Sequence, residues 1–401
     1  MRLVAWFDGN ARDLPWRRTC DPYGIWVSEI MLQQTQVKTV IPYWERWMRE
    51  LPTIASLARA SSAKIHKLWE GLGYYHRVRN MQRAAQIIER DHRGRFPTEF
   101  EEVLKLSGIG RYTAGAICSI AFGQPRPILD GNVARVLTRV FGIEGDPTEK
   151  ETKTTLWALA EDLVREAVGE PELPREAPPC PAPPAPRAKA GSGVHRAMAS
   201  QKSQASSASR IRALSQANVV SLASPYAASM FNQALMELGA LVCSPREPQC
   251  AVCPLAKVCI AFRDGRVSEL PARPARRSPT RRRFMAFVVQ HGNQFLVRQR
   301  PAGEVNAHLW EFPNLEVGLD DGDPRGAARR LLGRAPLKLK PFCTVKHTIT
   351  RYCITLEVFH AQAGPLQEIK LPGAHWARAR LLDRLAFSSA HKKIVQRLSA
   401  D

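Results

Sequence analysis

Acidic residues are scarce in this 401-residue chain: 37 Asp and Glu stand against 58 Lys and Arg, a formal net charge of +21. That imbalance favours a polyanionic partner, nucleic acid first. Part of the excess falls in residues 266–283, where seven Arg accompany one Glu, and such runs are often only solvated surface. Long apolar runs are missing too, so no membrane span is expected. The first nine residues hold one Arg and no apolar run ahead of a cleavage site; the expectation is a cytoplasmic chain without a secretory signal, nucleoid-associated if bacterial. Residues 171–217 contain no aromatic residue, only a Pro/Ala-rich half and a Ser/Ala/Gln half. Such a segment buries too little apolar surface to offset its ordering entropy, and it reads as a disordered insertion. Cysteine is uneven: of nine, four fall within seventeen residues, which excludes a disulfide scaffold in a cytoplasmic chain.

The length supports two or three cores. From Pro15 to about Gly169 no stretch alternates as a strand does, and the region reads as short helices. Val37, Val40, Ile41, Trp44, Trp47 and Met48 form one apolar stripe, with Pro42 expected to kink or restart that helix. Ile65, Leu68 and Trp69 precede Gly71, a candidate left-handed cap. Helical periodicity returns at Ala227–Leu241 through Phe231, Leu235, Leu238 and Leu241. Beyond the basic linker 266–283 the texture becomes strand-like. Residues 284–290 and 294–300 read as a hairpin through His291, Gly292 and Asn293, with a third strand at 352–360. Helices are expected at 380–385 and 390–398, which makes the C-terminal region α/β.

Four motifs carry chemistry. Cys243, Cys250, Cys253 and Cys259 follow a C-x6-C-x2-C-x5-C spacing that suits a [4Fe–4S] cluster. A structural zinc competes, although the usual pair of C-x2-C knuckles is absent. Arg246 and Lys257 lie in the same loops. Leu106-Ser-Gly-Ile-Gly-Arg-Tyr-Thr-Ala-Gly115 holds a tight turn at Gly108 and Gly110, whose amides and following helix N-terminus suit a phosphate. Asp130 and Asn132 flank Gly131; alone, that tripeptide is usually a turn. Glu29 stands among Ile25, Trp26, Val27, Ile30, Met31 and Leu32, and a helix through this run puts Gln33 one turn from it with Gln34 alongside. A helical Glu is normally solvated, but these neighbours predict burial and a raised carboxyl pKa.

Over residues 1–169 and 218–401 these motifs resemble the endonuclease III superfamily of DNA glycosylases, and Trp26–Gln36 resembles the signature of its MutY branch. The resemblance implies a multidomain chain: an all-α helix-hairpin-helix glycosylase core with an iron–sulfur domain, then an α/β Nudix-like, MutT-like domain. It divides the chain into a six-helix domain at 16–124, a cluster domain at 1–15 and 125–265, the linker 266–283 and an 8-oxoguanine-sensing domain at 284–401. It favours the [4Fe–4S] cluster over zinc. The partner it implies is double-stranded DNA containing a mispaired adenine, bound by a monomer.

In the roles this resemblance implies, Glu29 protonates adenine, Asp130 stabilises the oxocarbenium-like sugar and Asn132 holds Asp130. Tyr112 replaces the lysine that strand-nicking relatives use, so base removal is expected to be hydrolytic and monofunctional. Ser107 stands where the family's hairpin usually has Pro. Tyr74, in Gly71-Leu-Gly-Tyr-Tyr75, and Gln34 correspond to the wedge that fills the space of the flipped base; Gln233 corresponds to the reader of adenine. Residues 325–334 contain no acid, which makes nucleotide hydrolysis improbable. Ile349, Thr350 and Arg351 replace the family's Phe-Ser-His: Thr350 keeps a hydroxyl and Arg351 a donor, but the aromatic is lost. The opposite-base preference therefore rests on fewer matching residues than adenine removal. Two alternatives remain at this stage, a bifunctional endonuclease III-like enzyme and a non-catalytic iron–sulfur DNA-binding protein.

Overall fold

The computed structural model describes residues 3–168, 226–272, 278–318, 321–333, 338–349, 351–363 and 371–399; the expected insertion at 171–217 and Thr350 lie outside them. The chain divides into two compact units, Met1–Ala55 with Ala84–Pro274, and Ser56–Arg83 with Ala275–Asp401. Segment 56–83 thus groups with the C-terminal strands, whereas the sequence places it among the helices.

The first unit is helical. Its opening helices are α1 (Leu3–Asn10), α2 (Pro22–Leu32) and α3 (Val37–Glu50). Asp21 starts α2 by accepting from the Tyr23 and Gly24 amides, with Pro22 in the first turn, where a missing N–H costs nothing. Every residue from Tyr23 to Met31 is buried, as expected of a helix that is apolar all round. Helix α3 runs on through Pro42, so the expected restart does not occur; an amphipathic stripe with Val40 and Trp47 buried holds it. After α4 (Ile54–Arg59), α5 (Ser62–Trp69) and α6 (His76–Asp91), of which residues 56–83 belong to the second unit, and α7 (Phe100–Lys105) come α8 (Arg111–Phe122), α9 (Gly131–Phe141) and α10 (Lys150–Val168). Helix α11 (Ala227–Leu241) and the short α12 (Ile260–Arg263) close the unit.

Leu3, Val136, Leu156, Ala228 and Leu238 share one core, which fastens α1, α9, α10 and α11 together. A Cβ on Gly115 would lie 2.2 Å from the Pro127 carbonyl oxygen, so only glycine lets α8 press against the segment leading to Asp130.

The second unit carries a mixed seven-stranded sheet in the order β3-β2-β1-β6-β5, with β4 on β1 and β7 on β2. Its strands are β1 (Thr280–His291), β2 (Gln294–Gln299), β3 (Trp310–Glu311), β4 (Asn314–Val317), β5 (Lys338–Ile349), β6 (Tyr352–Gln362) and β7 (Ala374–Arg378). The expected hairpin is β1–β2, in register His291 with Gln294. The centre of β1 is apolar on both faces because both are covered. Met285, Phe287 and Val289 pack on α13 (Pro324–Leu332), and Ala286 and Val288 face α15 (Ser389–Leu398) through Ile394 and Val395. Between them α14 spans Ala379–Leu382, shorter than the helix expected at 380–385.

One expectation changes here. Residues 280–283 are not linker but the start of β1, where Arg283 pairs with Glu357 at 2.8 Å and Arg282 with Glu316. Within the same unit, the buried Glu70 carboxylate accepts from the Phe387 amide (2.9 Å), Lys67 (2.8 Å) and Lys392 (2.7 Å).

Gly115→Ala is expected to destabilise the first unit by about 1–3 kcal/mol, the usual cost of overpacking. A melting temperature equal to that of the unmodified chain would refute the close approach.

Candidate active site

A cleft of about 560 Å³ opens in the first unit, and Glu29, Gln33, Gln34, Tyr112, Asp130 and Asn132 all line it. Glu29, only 6% exposed, comes from the buried helix α2. Its Oε2 accepts a hydrogen bond from the Tyr112 hydroxyl at 2.7 Å. Burial pushes the Glu29 carboxyl up to about 7; the Tyr112 hydrogen bond pulls it down, and the charge of Asp130 adds to the rise. Burial and the two carboxylates raise Tyr112 well above its ordinary range, so it stays a donor.

Asp130 caps α9. Its Oδ1 accepts from the Val133 amide at 2.7 Å and its Oδ2 from Asn132 Nδ2 at 2.8 Å. Burial raises this carboxyl overall, and those two bonds offset part of the rise. Two carboxyl groups on one cleft thus differ in what stabilises their anions, one donor at Glu29 against two at Asp130, and the proton goes to Glu29 first.

Glutamines 33 and 34 reach the cleft by a different route from the helical one expected. Helix α2 ends at Leu32, Gln33 is its C-cap, and Gln34 takes a left-handed backbone with φ 57°. Both still share the cleft with Glu29, on a turn rather than a helix face. Gln233 lines the cleft from α11, its Nε2 donating to Ser229 Oγ at 3.0 Å. The neighbouring Asn232 is buried and donates to Ser119 Oγ and the Arg126 carbonyl, which fixes the roll of that helix.

Sequence reasoning missed Arg12, Arg17 and Glu237. The fully buried Glu237 carboxylate accepts from Arg12 Nη2 at 2.7 Å and Arg17 Nη2 at 2.9 Å. Burial alone would raise it, but these two guanidinium groups hold it at about 2. The available signal was an acid within an otherwise apolar helix, which needs a cationic partner. All three residues line the cleft.

The four cysteines border one small cavity beside Arg139. Arg139 Nη1 donates to Cys243 Sγ at 3.3 Å and to the Ser244 carbonyl at 2.8 Å. Arg135, one turn earlier, donates to the Cys243 carbonyl (2.7 Å) and to Asn132 Oδ1 (2.9 Å). Among the described residues no three His, Cys, Asp or Glu side chains converge on a point suited to a single metal ion. Four thiols around one cavity are the donor set that a four-thiolate metal centre, cluster or zinc, requires. Arg246 and Lys257 are exposed in these loops.

Gly108 has φ 79° and Gly110 caps α8 in extended backbone, the turn expected of the hairpin. Tyr74, in the second unit, is 39% exposed with φ 46°, between Gly73 at φ 69° and His76, whose ring meets Tyr74 edge-on at 6.2 Å. Ile349 pairs with Tyr352 at the end of the β5–β6 hairpin, and Arg351 Nη2 donates to the Tyr352 hydroxyl at 3.1 Å.

Two family models match the chain: the HhH-GPD superfamily base excision DNA repair protein over residues 27–162 and the NUDIX domain over residues 284–397. The chain is 33% identical to an adenine DNA glycosylase of Homo sapiens, across 98% of this chain and 72% of that one. It is 32% identical to an adenine DNA glycosylase of Buchnera aphidicola subsp. Schizaphis graminum, across 79% and 74%. A solved thermostable thymine-DNA glycosylase aligns with a TM-score of 0.47 and 23% identity, over 66% of this chain and 94% of that one.

A carboxyl whose folded pKa is raised stabilises the fold fully below its unfolded pKa, and that contribution is lost as pH rises through the folded value. For Glu29 the loss runs from the ordinary carboxyl range to about 7. Glu29→Gln should therefore stabilise the chain at pH 8 relative to pH 5, by up to about 3 kcal/mol. Urea unfolding at the two pH values measures this, and an equal difference at both would refute the desolvated carboxyl.

Proposed function

The chain belongs to the adenine DNA glycosylase family, and we propose that it hydrolyses the N-glycosidic bond of adenine mispaired with 8-oxoguanine or guanine in duplex DNA, as a monofunctional base excision repair enzyme. The observation that carries this reading is the pair of unlike carboxyl groups, Glu29 and Asp130, on one cleft with the Tyr112 hydroxyl on Glu29. Among the described residues lining that cleft there is no lysine, which supports hydrolysis over lyase chemistry at a Schiff base.

Adenine must leave the stack to reach the cleft, at a cost of a few kcal/mol that a mispair lowers. Glu29, protonated near neutral pH, donates to adenine N7 and makes the base a leaving group. Asp130 stays ionised through its two hydrogen bonds and stabilises the oxocarbenium-like sugar until water completes the reaction, in the manner of paired-carboxylate glycoside cleavage. Asn132 positions Asp130, and Gln233 reads the base. Gln33, Gln34 and Tyr74 meet the bases around the extruded adenine. Gly108, Gly110 and the N-terminus of α8 hold a phosphate. Thr350 and Arg351 belong to the opposite-base loop. We assign Cys243, Cys250, Cys253 and Cys259 to a [4Fe–4S] cluster, which when bound supplies four iron–thiolate bonds that fix residues 243–259. The enzyme acts as a cytoplasmic monomer, nucleoid-associated if bacterial.

Single-turnover assays on duplexes with adenine opposite 8-oxoguanine, guanine or thymine test this reading; no adenine release from any of them would overturn it. Glu29→Gln and Asp130→Asn should each abolish release. The rate should fall as pH rises through about 7, where Glu29 loses its proton. Tyr112→Phe, which removes a bond that favours the anion, should move that limb to higher pH. Cys253→Ser should cost the purified chain its iron and acid-labile sulfide, and retention of both would refute the cluster assignment.

A further inference from the structure

The turn that carries Tyr74 is braced from within. Gly71, Gly73 and Tyr74 all have positive φ, at 108°, 69° and 46°. Trp69 Nε1 donates to the Gly73 carbonyl at 3.0 Å, the Gly71 amide to the Tyr75 hydroxyl at 3.3 Å, and Arg77 Nη2 to the Leu72 and Gly73 carbonyls. Where such a turn lies is decided by what grips its root. That root is Glu70, the C-cap of α5.

Glu70 is poorly suited to a purely local role. A carboxylate at a helix C-terminus faces the negative end of the helix dipole, where a cation or a glycine would serve better. It is also only 4% exposed, and a buried anion is costly unless donors replace its water. Two of those donors stand 317 and 322 residues away: Oε1 accepts from the Phe387 amide at 2.9 Å and Oε2 from Lys392 Nζ at 2.7 Å. Lys67 Nζ completes the set, donating to Oε2 at 2.8 Å and to the Leu385 carbonyl at 3.0 Å. The gripped segment belongs to the packed body of the sheet. Phe387 stacks on Phe312 with ring centroids 5.6 Å apart, and the Trp310 amide donates to the Ala386 carbonyl at 2.8 Å. Two lesser contacts flank the carboxylate, Arg79 Nη1 on the Ala307 carbonyl at 3.3 Å and the His66 ring 5.9 Å from that of His308. All of these residues lie in the second unit.

We propose that Glu70 is a positioning residue: it clasps the Tyr74 turn to segment 385–392, so that the wedge and the strands bearing the opposite-base loop engage a duplex as one body. The inference rests on the function proposed above for the roles of Tyr74 and of that loop. Its consequence is coupling. An opposite base that the loop favours then also favours the seating of Tyr74, and the preference reaches adenine release through a carboxylate that touches neither base. Without the clasp the two engage separately and the preference falls.

Full-length protein, Glu70→Gln, Glu70→Ala, Lys392→Met and the Glu70→Gln/Lys392→Met double variant are compared in single-turnover adenine release opposite 8-oxoguanine and opposite guanine. Amide exchange of residues 66–75 and 385–392, the two sides of the clasp, is measured without DNA. The Lys67 and Lys392 side chains are 35% and 40% exposed, so water takes up their charges when the carboxylate goes, and Glu70→Gln keeps an acceptor for the Phe387 amide. Glu70→Gln should lower the 8-oxoguanine-to-guanine rate ratio roughly 10-fold, Glu70→Ala at least as far, and Lys392→Met less, because Lys67 remains. The double variant should fall no lower than Glu70→Gln alone, as expected of two groups that act through one contact. Exchange should quicken on both sides in the Glu70 variants. A ratio that both Glu70 variants keep, single losses that multiply in the double variant, or unaltered exchange overturns the proposal. Should the unmodified chain release no adenine, the proposed function fails, while exchange still decides whether Glu70 joins the two segments. Melting temperatures identify a variant that has merely unfolded, and Lys392→Met, altered at a partly exposed side chain, then carries the comparison.

Discussion

The Asp130 carboxylate has two tasks that depend on the same hydrogen bonds. By accepting from the Val133 amide it starts helix α9, and by accepting from Asn132 it is held in one orientation. Both donors favour the anion, so capping the helix and keeping the carboxylate ionised at its N-terminus are one electrostatic requirement. Asn132 is held in turn. Arg135 donates to its carbonyl oxygen and to the Cys243 and Gly239 carbonyls, and a Cβ on Gly239 would fall 2.6 Å from the Asn132 Cβ. The approach of α11 to α9 and the fold of the cysteine loop thus decide where Asp130 points.

The opposite carboxyl is built by deprivation. Glu29 sits in a helix with no polar face and receives one hydrogen bond from a phenol that itself resists ionisation. Its raised pKa costs stability at any pH above the ordinary carboxyl range, a usual feature of functional sites. Glu237 shows the other solution in the same cleft: equally buried, it meets two guanidinium groups and stays charged. The contrast between about 7 at Glu29 and about 2 at Glu237 comes from cation placement, since both are desolvated.

What was legible in the sequence was local. Cys243 to Cys259, the Gly108–Gly110 turn, Asp130 with Asn132, and Glu29 among apolar neighbours each fit within a few turns of chain; Glu29, Asp130 and Asn132 line one cleft and the four cysteines border a separate cavity. The pairing of Glu237 with Arg12 and Arg17 spans 225 and 220 residues, beyond the reach of periodicity. The end of α2 was hidden because Gln33-Gln34-Thr35-Gln36 holds no glycine or proline; the left-handed Gln34 is imposed by the fold. Strand β5 escaped notice because the irregularity between Pro341 and Cys343 shifts its alternation by one residue. The three arginines at 281–283 looked like solvated charge, although the adjacent apolar run could carry them into the sheet.

Gln34 and Tyr74 show how far strain can be read as function. Side chains other than glycine rarely adopt positive φ, at a cost of about 1–3 kcal/mol when the surroundings enforce it. Both residues adopt it, one on the cleft wall beside Glu29 and one between the left-handed Gly73 and His76. Arg93, Asn306 and His308 share this backbone conformation, so it is the position of Gln34 and Tyr74, and not strain alone, that ties them to function. The opposite-base loop differs in kind. Ile349 pairs directly with Tyr352, so the departure from the family alters the chemistry at the end of two long strands whose register is already fixed.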